Sequence, residues 1–198
     1  CLWAVYDKAV ASAKAARDDA SRRAILTRDA LPVRIEMAAA LRTIFGHLLA
    51  TVSTTGELGT IANWEQHLLP GAWEKPEAEL VEMLGSALPA EALLARAYDG
   101  PPRIIVPAVR TSLEAGEALG LKVLVLSANP PESVSLAWRE MGRGAWQAIA
   151  LDHVARGVFS VTLPAPSTDL EYYVEAVADG RTVRYPAAAP DRNRTVVV

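Results

Sequence analysis

The chain has 198 residues, 51% of them hydrophobic, and a net charge of −3 from 20 basic and 23 acidic residues. This length and hydrophobicity suffice for one large domain or two small ones with real cores, which argues against a disordered chain. Charges of both signs are mixed along the chain without a run of one sign. This pattern argues against nucleic acid and an anionic membrane surface as partners.

The first half of the chain, residues 1–99, is rich in Ala, Leu, Glu and Arg and predicts a helical region. Apolar residues recur at three- and four-residue spacing from Leu2 onward and predict a helix that ends near Arg28. Pro32 suits the first turn of a second helix, and the short join predicts that the two helices are antiparallel neighbours. Three shorter helices and a linker are predicted over 60–69, 77–84, 91–98 and 97–102.

The second half, residues 100–198, is rich in Val, Thr, Pro and Tyr and predicts β-strands separated by turn signals. Asp179 and Gly180 lie between two alternating segments and form the strongest hairpin signal in the chain. The number and spacing of the segments predict an antiparallel β-sandwich, so the expected fold class is α+β with a helical hairpin or bundle followed by a sandwich. The predicted strands are 103–109, 121–127, 133–140, 145–151, 157–164, 170–178, 181–186 and 194–198.

Several segments of the second half resemble a known type of module. The runs LAWREMGRGAWQAIAL (136–151), LEYYVEAVADG (170–180) and YPAAAPDRNRTVVV (185–198) are similar to immunoglobulin-like or fibronectin type III-like modules. Modules with these features are familiar at the C-terminal ends of large bacterial carbohydrate-processing enzymes. The resemblance covers residues 103–198, and the helical half resembles the helical tail that follows the catalytic barrel in large bacterial glycoside hydrolases.

The resemblance implies a role and a location for the chain. It implies a non-catalytic accessory region whose partners are an upstream catalytic domain of the same parent protein and a polysaccharide or oligosaccharide. The chain begins with Cys1 instead of Met, which predicts a trimmed product of something longer. A secreted or periplasmic location is implied by the resemblance alone.

The segment TTGELGTIANWEQHLLPGAW, residues 54–73, contains the candidate catalytic carboxylates Glu57 and Glu65. Glycoside hydrolysis uses two carboxyl groups about 5–10 Å apart. On one continuous helix the separation of these two residues corresponds to roughly 12 Å of rise, so they are not expected to form a self-contained pair. We expect either a contribution to a site whose other groups lie upstream, or a helix-start charge at Glu57 and a solvated face at Glu65.

The same segment contains four candidate substrate-binding residues, Asn63, Trp64, His67 and Trp73. Trp64 and Trp73 flank a Pro-Gly pair and predict either an exposed stacking platform for a sugar ring or a plug between the helices and the next domain. Trp138 alternates in phase with apolar neighbours and is predicted to pack in the sandwich core.

No cofactor or metal ion is predicted. His47, His67 and His153 lack the spacing of metal ligands, and His153 is expected in a turn between two strands. The chain contains no P-loop and no dinucleotide fingerprint. Cys1 is the only cysteine, so neither an intrachain disulfide nor a cysteine-based metal site can form. No apolar stretch is long enough to predict a membrane-spanning helix.

Three classes of function remain as hypotheses. The first is the accessory region of a polysaccharide-processing enzyme; the alternative is a freestanding β-sandwich module that binds carbohydrate or protein. An enzyme complete within this chain is a third. An exposed row of aromatic residues would favour the binding module, whereas an exposed apolar patch would favour a missing partner domain.

Overall fold

A computed structural model of the chain describes residues 1–95 and 97–198 and contains two compact units. The helical unit comprises Cys1–Thr51 and Gly59–Arg96, and the sandwich unit comprises Val52–Leu58 and Ala97–Val198. Helices therefore occupy the N-terminal part of the chain and antiparallel sheets the C-terminal part, as the sequence predicts.

Five α-helices, three π-helical turns and one short 3₁₀ turn are described in the N-terminal part of the chain. The α-helices are α1 (Leu2–Lys14), α2 (Asp19–Ile25), α3 (Leu31–Thr51), α4 (Thr55–Asn63) and α5 (Lys75–Leu84). The π-helical turns are Leu26–Ala30, Trp64–Leu68 and Pro70–Glu74, and the 3₁₀ turn is Ala90–Ala92.

The first two helices differ from the prediction, because the chain turns before Asp18 and not at Pro32. Asp18 has extended backbone angles, and its side chain accepts a hydrogen bond from the Ser21 N–H at 2.7 Å, so it caps the N-terminus of α2. The predicted helix to Arg28 is therefore two helices. After α2, the helix continues without a break through the π turn Leu26–Ala30 into α3. Pro32 therefore lies in the first turn of α3 and does not terminate a helix.

The middle of the helical unit differs in the same way, because α4, two π turns and α5 form one helical path from Thr55 to Leu84. The sequence predicts two separate helices here, over 60–69 and 77–84. Pro70 and Pro76 lie within this path, and π turns are where a helix accommodates a missing N–H or an extra residue. Gly85 then ends α5 with a left-handed backbone, which glycine adopts without steric cost.

The predicted helix over 91–98 is wrong for the residues that the structure describes. Only a 3₁₀ turn forms there, from Ala90 to Ala92, and Leu93 is already extended. One residue of the predicted helix, Arg96, lies outside the described residues. Pro89, which precedes the 3₁₀ turn, is also extended.

The sandwich unit contains nine described strands in two antiparallel sheets. One sheet has the order β1-β2-β6-β5, and the other has the order β4-β3-β7-β8 with β9 also paired to β7. Asp179 and Gly180 both have positive φ and join β7 to β8, which confirms the predicted hairpin. The strands are β1 (Arg103–Ile105), β2 (Leu119–Leu126), β3 (Ser133–Glu140), β4 (Gln147–Ala150), β5 (Asp152–Ala155), β6 (Val158–Leu163), β7 (Leu170–Ala178), β8 (Arg181–Tyr185) and β9 (Arg194–Val196).

Two strand predictions need correction. The strand predicted over 103–109 is shorter in the structure, where only Arg103–Ile105 pairs with β2. Pro107 has no N–H to donate to a neighbouring strand. His153 lies in strand β5, where it pairs with Phe159, and not in a turn. All four residues of β5 are exposed, so the strand has no alternation of buried and exposed residues by which it could be predicted from the sequence.

Each unit has its own hydrophobic core. In the helical unit the core includes Tyr6, Leu26, Trp73 and Leu80, and it also contains one fully buried charged side chain, Arg34. In the sandwich unit the core comes from the inward residues of both sheets, and Trp138 packs against it as predicted. Within residues 1–95 and 97–198, no helix combines the length and hydrophobicity needed to cross a membrane.

Candidate functional site

Glu57 belongs to the sandwich unit and closes the N-terminus of α4. Its Oε2 accepts hydrogen bonds from the backbone N–H groups of Ser53 and Thr54 at 2.7 and 2.8 Å and from both hydroxyls. The Glu57 N–H in turn donates to the Thr54 hydroxyl at 3.3 Å. These bonds form a capping box, whose Thr-x-x-Glu spacing is visible in the sequence.

The capping hydrogen bonds determine the ionisation of Glu57. The backbone N–H groups of Ser53 and Thr54, followed by the two hydroxyls, lower the pKa of Glu57 to about 2. A carboxyl group with this pKa is ionised at neutral pH and does not store a proton for a general acid. Its catalytic contribution stays a prediction, and the chemistry available to it is that of a carboxylate.

Three other candidates, Asn63, Glu65 and His67, lie in the helical unit with exposed side chains. Asn63 ends α4, and the other two lie in the π turn Trp64–Leu68. None of these three side chains forms a hydrogen bond or ion pair with another residue in the described part of the chain. They are therefore free to contact a partner, and their predicted role remains open.

Trp64 lies in a different environment from Trp73. Its ring packs edge-to-face against Phe45 of α3, with ring centroids 5.6 Å apart and an interplanar angle of 89°. Nearby on these two elements, Ile44 is 42% exposed and Leu68 is 45% exposed. We call Ile44, Phe45, Trp64 and Leu68 the α3 surface, which is apolar and only partly covered within the helical unit.

Trp73 is only 1% exposed, so its burial corrects the expectation that it forms part of an exposed stacking platform. The guanidinium carbon of Arg34 lies 3.5 Å from the centroid of the Trp73 ring, and Trp3 packs edge-on at 6.3 Å. The indole therefore fills the helical core, and no sugar ring can reach it in this fold.

Arg34 connects three separate segments of the helical unit. Its Nη2 donates to Glu77 Oε2 at 2.7 Å, its Nε donates to the Ala92 carbonyl at 3.2 Å, and both terminal nitrogens donate to the Trp73 carbonyl at 3.3 Å. Burial lowers the pKa of Arg34, while nearby Tyr6 and Glu77 raise it. This network could not be predicted from the sequence, because nothing in the α3 pattern distinguishes Arg34 from an exposed arginine.

The outer face of the five-stranded sheet carries two aromatic rings between arginines. Trp146 and Tyr173 pack at an angle with centroids 4.9 Å apart. The guanidinium carbon of Arg139 lies 4.4 Å from the Trp146 ring centroid, and that of Arg184 lies 5.9 Å from the Tyr173 centroid. The two arginines thus partly cover the rings through cation–π contacts.

Each of these two arginines also forms an ion pair with a glutamate on the same outer face. Arg139 donates to Glu171 Oε1 at 2.8 Å, and Arg184 donates to Glu175 Oε2 at 2.7 Å. The period-two alternation of β7 places Glu171, Tyr173 and Glu175 on one face, so the sequence contains part of the signal. The pairing with β3 and β8, which brings the arginines there, is not visible in the sequence. Among the described residues, no group of three His, Cys, Asp or Glu side chains is arranged to hold a metal ion.

The solved structures described below are only distantly similar to this chain. No protein-family model matches the chain, and no curated protein matches it. A pullulanase type I from Bacillus subtilis, solved with maltose, is 13% identical with a TM-score of 0.31, over 39% of this chain and 10% of the pullulanase. The swine CD8aa homodimer is 15% identical with a TM-score of 0.32, over 48% of this chain and 96% of that chain.

The twitchin kinase region from C. elegans is similar at the same level. It is 19% identical with a TM-score of 0.30, and the match covers 48% of this chain and 16% of the twitchin chain. The chain thus spans only a small part of the pullulanase and of the twitchin region. Similarities this weak assign neither a family nor an activity.

Proposed function

We propose that this chain is a non-catalytic accessory region of a larger polysaccharide-processing enzyme. In this proposal the helical unit packs against the upstream catalytic domain, and the sandwich unit is an immunoglobulin-like module. The observation that carries the proposal is the α3 surface. The class of parent enzyme comes from the resemblance of residues 103–198 to modules at the ends of such enzymes.

The second half of α3 carries several apolar residues, none of which is fully buried. The buried residues of α3 are Arg34, Met37 and Ala38, all in its first half, although Ile44, Phe45 and further leucines follow. A helix that carries apolar residues beyond its core-facing side needs another surface to cover them. Single exposed apolar residues are ordinary, but Ile44 and Leu68 lie on the same two elements as the packed Phe45 and Trp64 rings, which supports an interaction site there.

The position of the remaining candidates fits the same interface. Glu65 and His67 lie between Trp64 and Leu68 of the α3 surface in the sequence, and all four belong to one π turn. A partner that covers Trp64 and Leu68 therefore also approaches the exposed carboxylate and imidazole. This supports the proposal that Glu65, His67 and neighbouring Asn63 contribute to the edge of a site in the catalytic domain.

The double variant Ile44→Ser/Leu68→Ser tests the proposal. In the 198-residue chain we expect it to lower the thermal midpoint only slightly, since neither side chain belongs to the buried core. In the full-length source protein we expect the midpoint to fall by about 3–6 °C, because the interface with the catalytic domain loses two apolar contacts. The measurement is differential scanning calorimetry of both proteins.

Val5→Ser is the matched control, because Val5 of α1 is 52% exposed and lies outside the α3 surface. It should leave the midpoint unchanged in both proteins. Equal midpoints for the double variant and the control in the full-length protein would overturn the proposed interface.

A further inference from the structure

Three polar side chains form one row across the inner face of the five-stranded sheet. Trp138 of β3 is the cross-strand partner of Tyr172 in β7, and Tyr172 is the partner of Arg194 in β9. The Cβ atoms of such partners lie about 4.5–5.5 Å apart, so these side chains are direct neighbours. Tyr172 is fully buried, and apolar core residues surround the row.

Each member of the row has a buried polar atom without a hydrogen-bond partner among residues 1–95 and 97–198. These atoms are Trp138 Nε1, the Tyr172 hydroxyl oxygen and Arg194 Nε. The indole N–H and the guanidinium N–H are donors only, and the hydroxyl also has a proton to donate. Buried polar groups are paired in almost all folded proteins, so three unpaired donors on neighbouring side chains support a shared acceptor. The Oδ1 atom of Asn193, next to Arg194 in the chain, is also buried and unpaired among the described residues.

Arg194 gives this row a positive charge. Its Nη2 donates to the Tyr185 hydroxyl at 2.8 Å, and its guanidinium carbon lies 5.0 Å from the Tyr185 ring centroid. In the described part of the chain, no carboxylate forms an ion pair with Arg194. Arg139 and Arg184, by contrast, each have a glutamate partner on the outer face. Arg194 is half-buried, and a partly desolvated charge without a carboxylate partner favours a bound counterion.

The Tyr172 hydroxyl remains a donor at neutral pH. Burial, together with nearby Tyr185, raises the pKa of Tyr172 to about 12, against the opposing effect of Arg194. The row therefore has three hydrogen-bond donors and one positive charge available to a bound acceptor.

We infer that Trp138, Tyr172 and Arg194 bind one small inorganic anion of the halide class on the inner face of the five-stranded sheet. Charge-assisted hydrogen bonds from Arg194 supply most of the attraction, and the two neutral donors orient the anion. The site is independent of the α3 surface, since it lies wholly within the sandwich unit. It gives the sandwich an ion-dependent stability that the proposed accessory role does not require.

Thermal denaturation in sodium chloride and in sodium gluconate at equal ionic strength tests this site in the full 198-residue chain. Gluconate is too large for the row, so chloride is expected to raise the midpoint of the wild type by about 3 °C relative to gluconate. Arg194→Gln should abolish this difference. Arg192→Gln is the matched control, because it removes the same charge from an exposed side chain and should retain the full difference.

Tyr172→Phe provides a second readout if Arg194→Gln does not fold. Loss of the hydroxyl should weaken the chloride dependence by about tenfold in concentration, since one hydrogen bond to the anion disappears. A crystal soaked in bromide should show anomalous density within hydrogen-bond distance of Arg194 Nε. Equal midpoints in chloride and gluconate for the wild type, or a Tyr172→Phe variant that is simply more stable in both salts, would overturn the inference.

Discussion

Arg34→Ala is expected to lower the free energy of unfolding of the helical unit by about 3 kcal/mol. The substitution leaves the Glu77 carboxylate without its cation and the carbonyls of Trp73 and Ala92 without their donors. It also uncovers the ring face of buried Trp73. Chemical denaturation followed by circular dichroism at the helical band measures the change.

Arg34→Lys separates the charge from the geometry of the guanidinium. Lysine keeps the positive charge but cannot bond three acceptors while stacking on an indole, so most of the loss is expected to persist. Arg28→Ala is the control, because Arg28 pairs with its neighbour Asp29 on the surface, where ion pairs contribute little. Unfolding of the Arg34→Ala and Arg28→Ala variants at the same denaturant concentration would contradict the role of Arg34.

Gly157→Ala is expected to lower the free energy of unfolding of the sandwich unit by about 2–4 kcal/mol. A Cβ at this position would collide with the carbonyl oxygen of Val125 in β2. The Gly157 carbonyl also accepts the Val125 N–H at 2.8 Å, so the two backbones cannot separate without losing this bond. Denaturation followed by tryptophan fluorescence measures the change.

Gly120→Ala is the matched control in the same sheet. Gly120 lies in β2, and an added Cβ there has no neighbouring atom within 4 Å among the described residues. Its stability should stay close to that of the wild type, since alanine also reduces the freedom of the unfolded chain. If the Gly157→Ala and Gly120→Ala variants have the same stability, the close approach of Gly157 to the Val125 backbone does not contribute to stability as expected.

The sequence predicts the sandwich better than the helices, for a physical reason. Alternation in β7 and the Asp179-Gly180 turn are local signals, and both correspond to the structure. Helix boundaries depend on a competition between caps and prolines. Asp18 caps α2 strongly enough to place the turn there, whereas Pro32 and Pro70 are accommodated in or beside π turns.

The candidate site shows a similar division between local and tertiary information. The capping box at Glu57 could be predicted from the spacing Thr54-x-x-Glu57, because all its hydrogen bonds lie within five residues. The burial of Trp73 could not, because it depends on Arg34, distant in sequence. The partial exposure of Trp64 likewise depends on Phe45 of another helix.

The proposed interface at the α3 surface and the proposed anion site on the inner sheet face are separate hypotheses. In the proposed function, a partner outside the chain covers the exposed apolar residues of the α3 surface. The row accounts for three unpaired donors by a ligand within the sandwich. Either claim can fail without affecting the other, because the residues belong to different units.

Hydrogen–deuterium exchange of the α3 surface is the most direct test of the accessory role. Amide exchange over residues 41–51 and 64–68 should be at least about tenfold slower in the full-length source protein than in the 198-residue chain, because a docked domain suppresses local opening. The exposed face of α1 should exchange equally in both. Equal exchange over the α3 surface in the two proteins, or a source gene that encodes no further domain, would contradict the account.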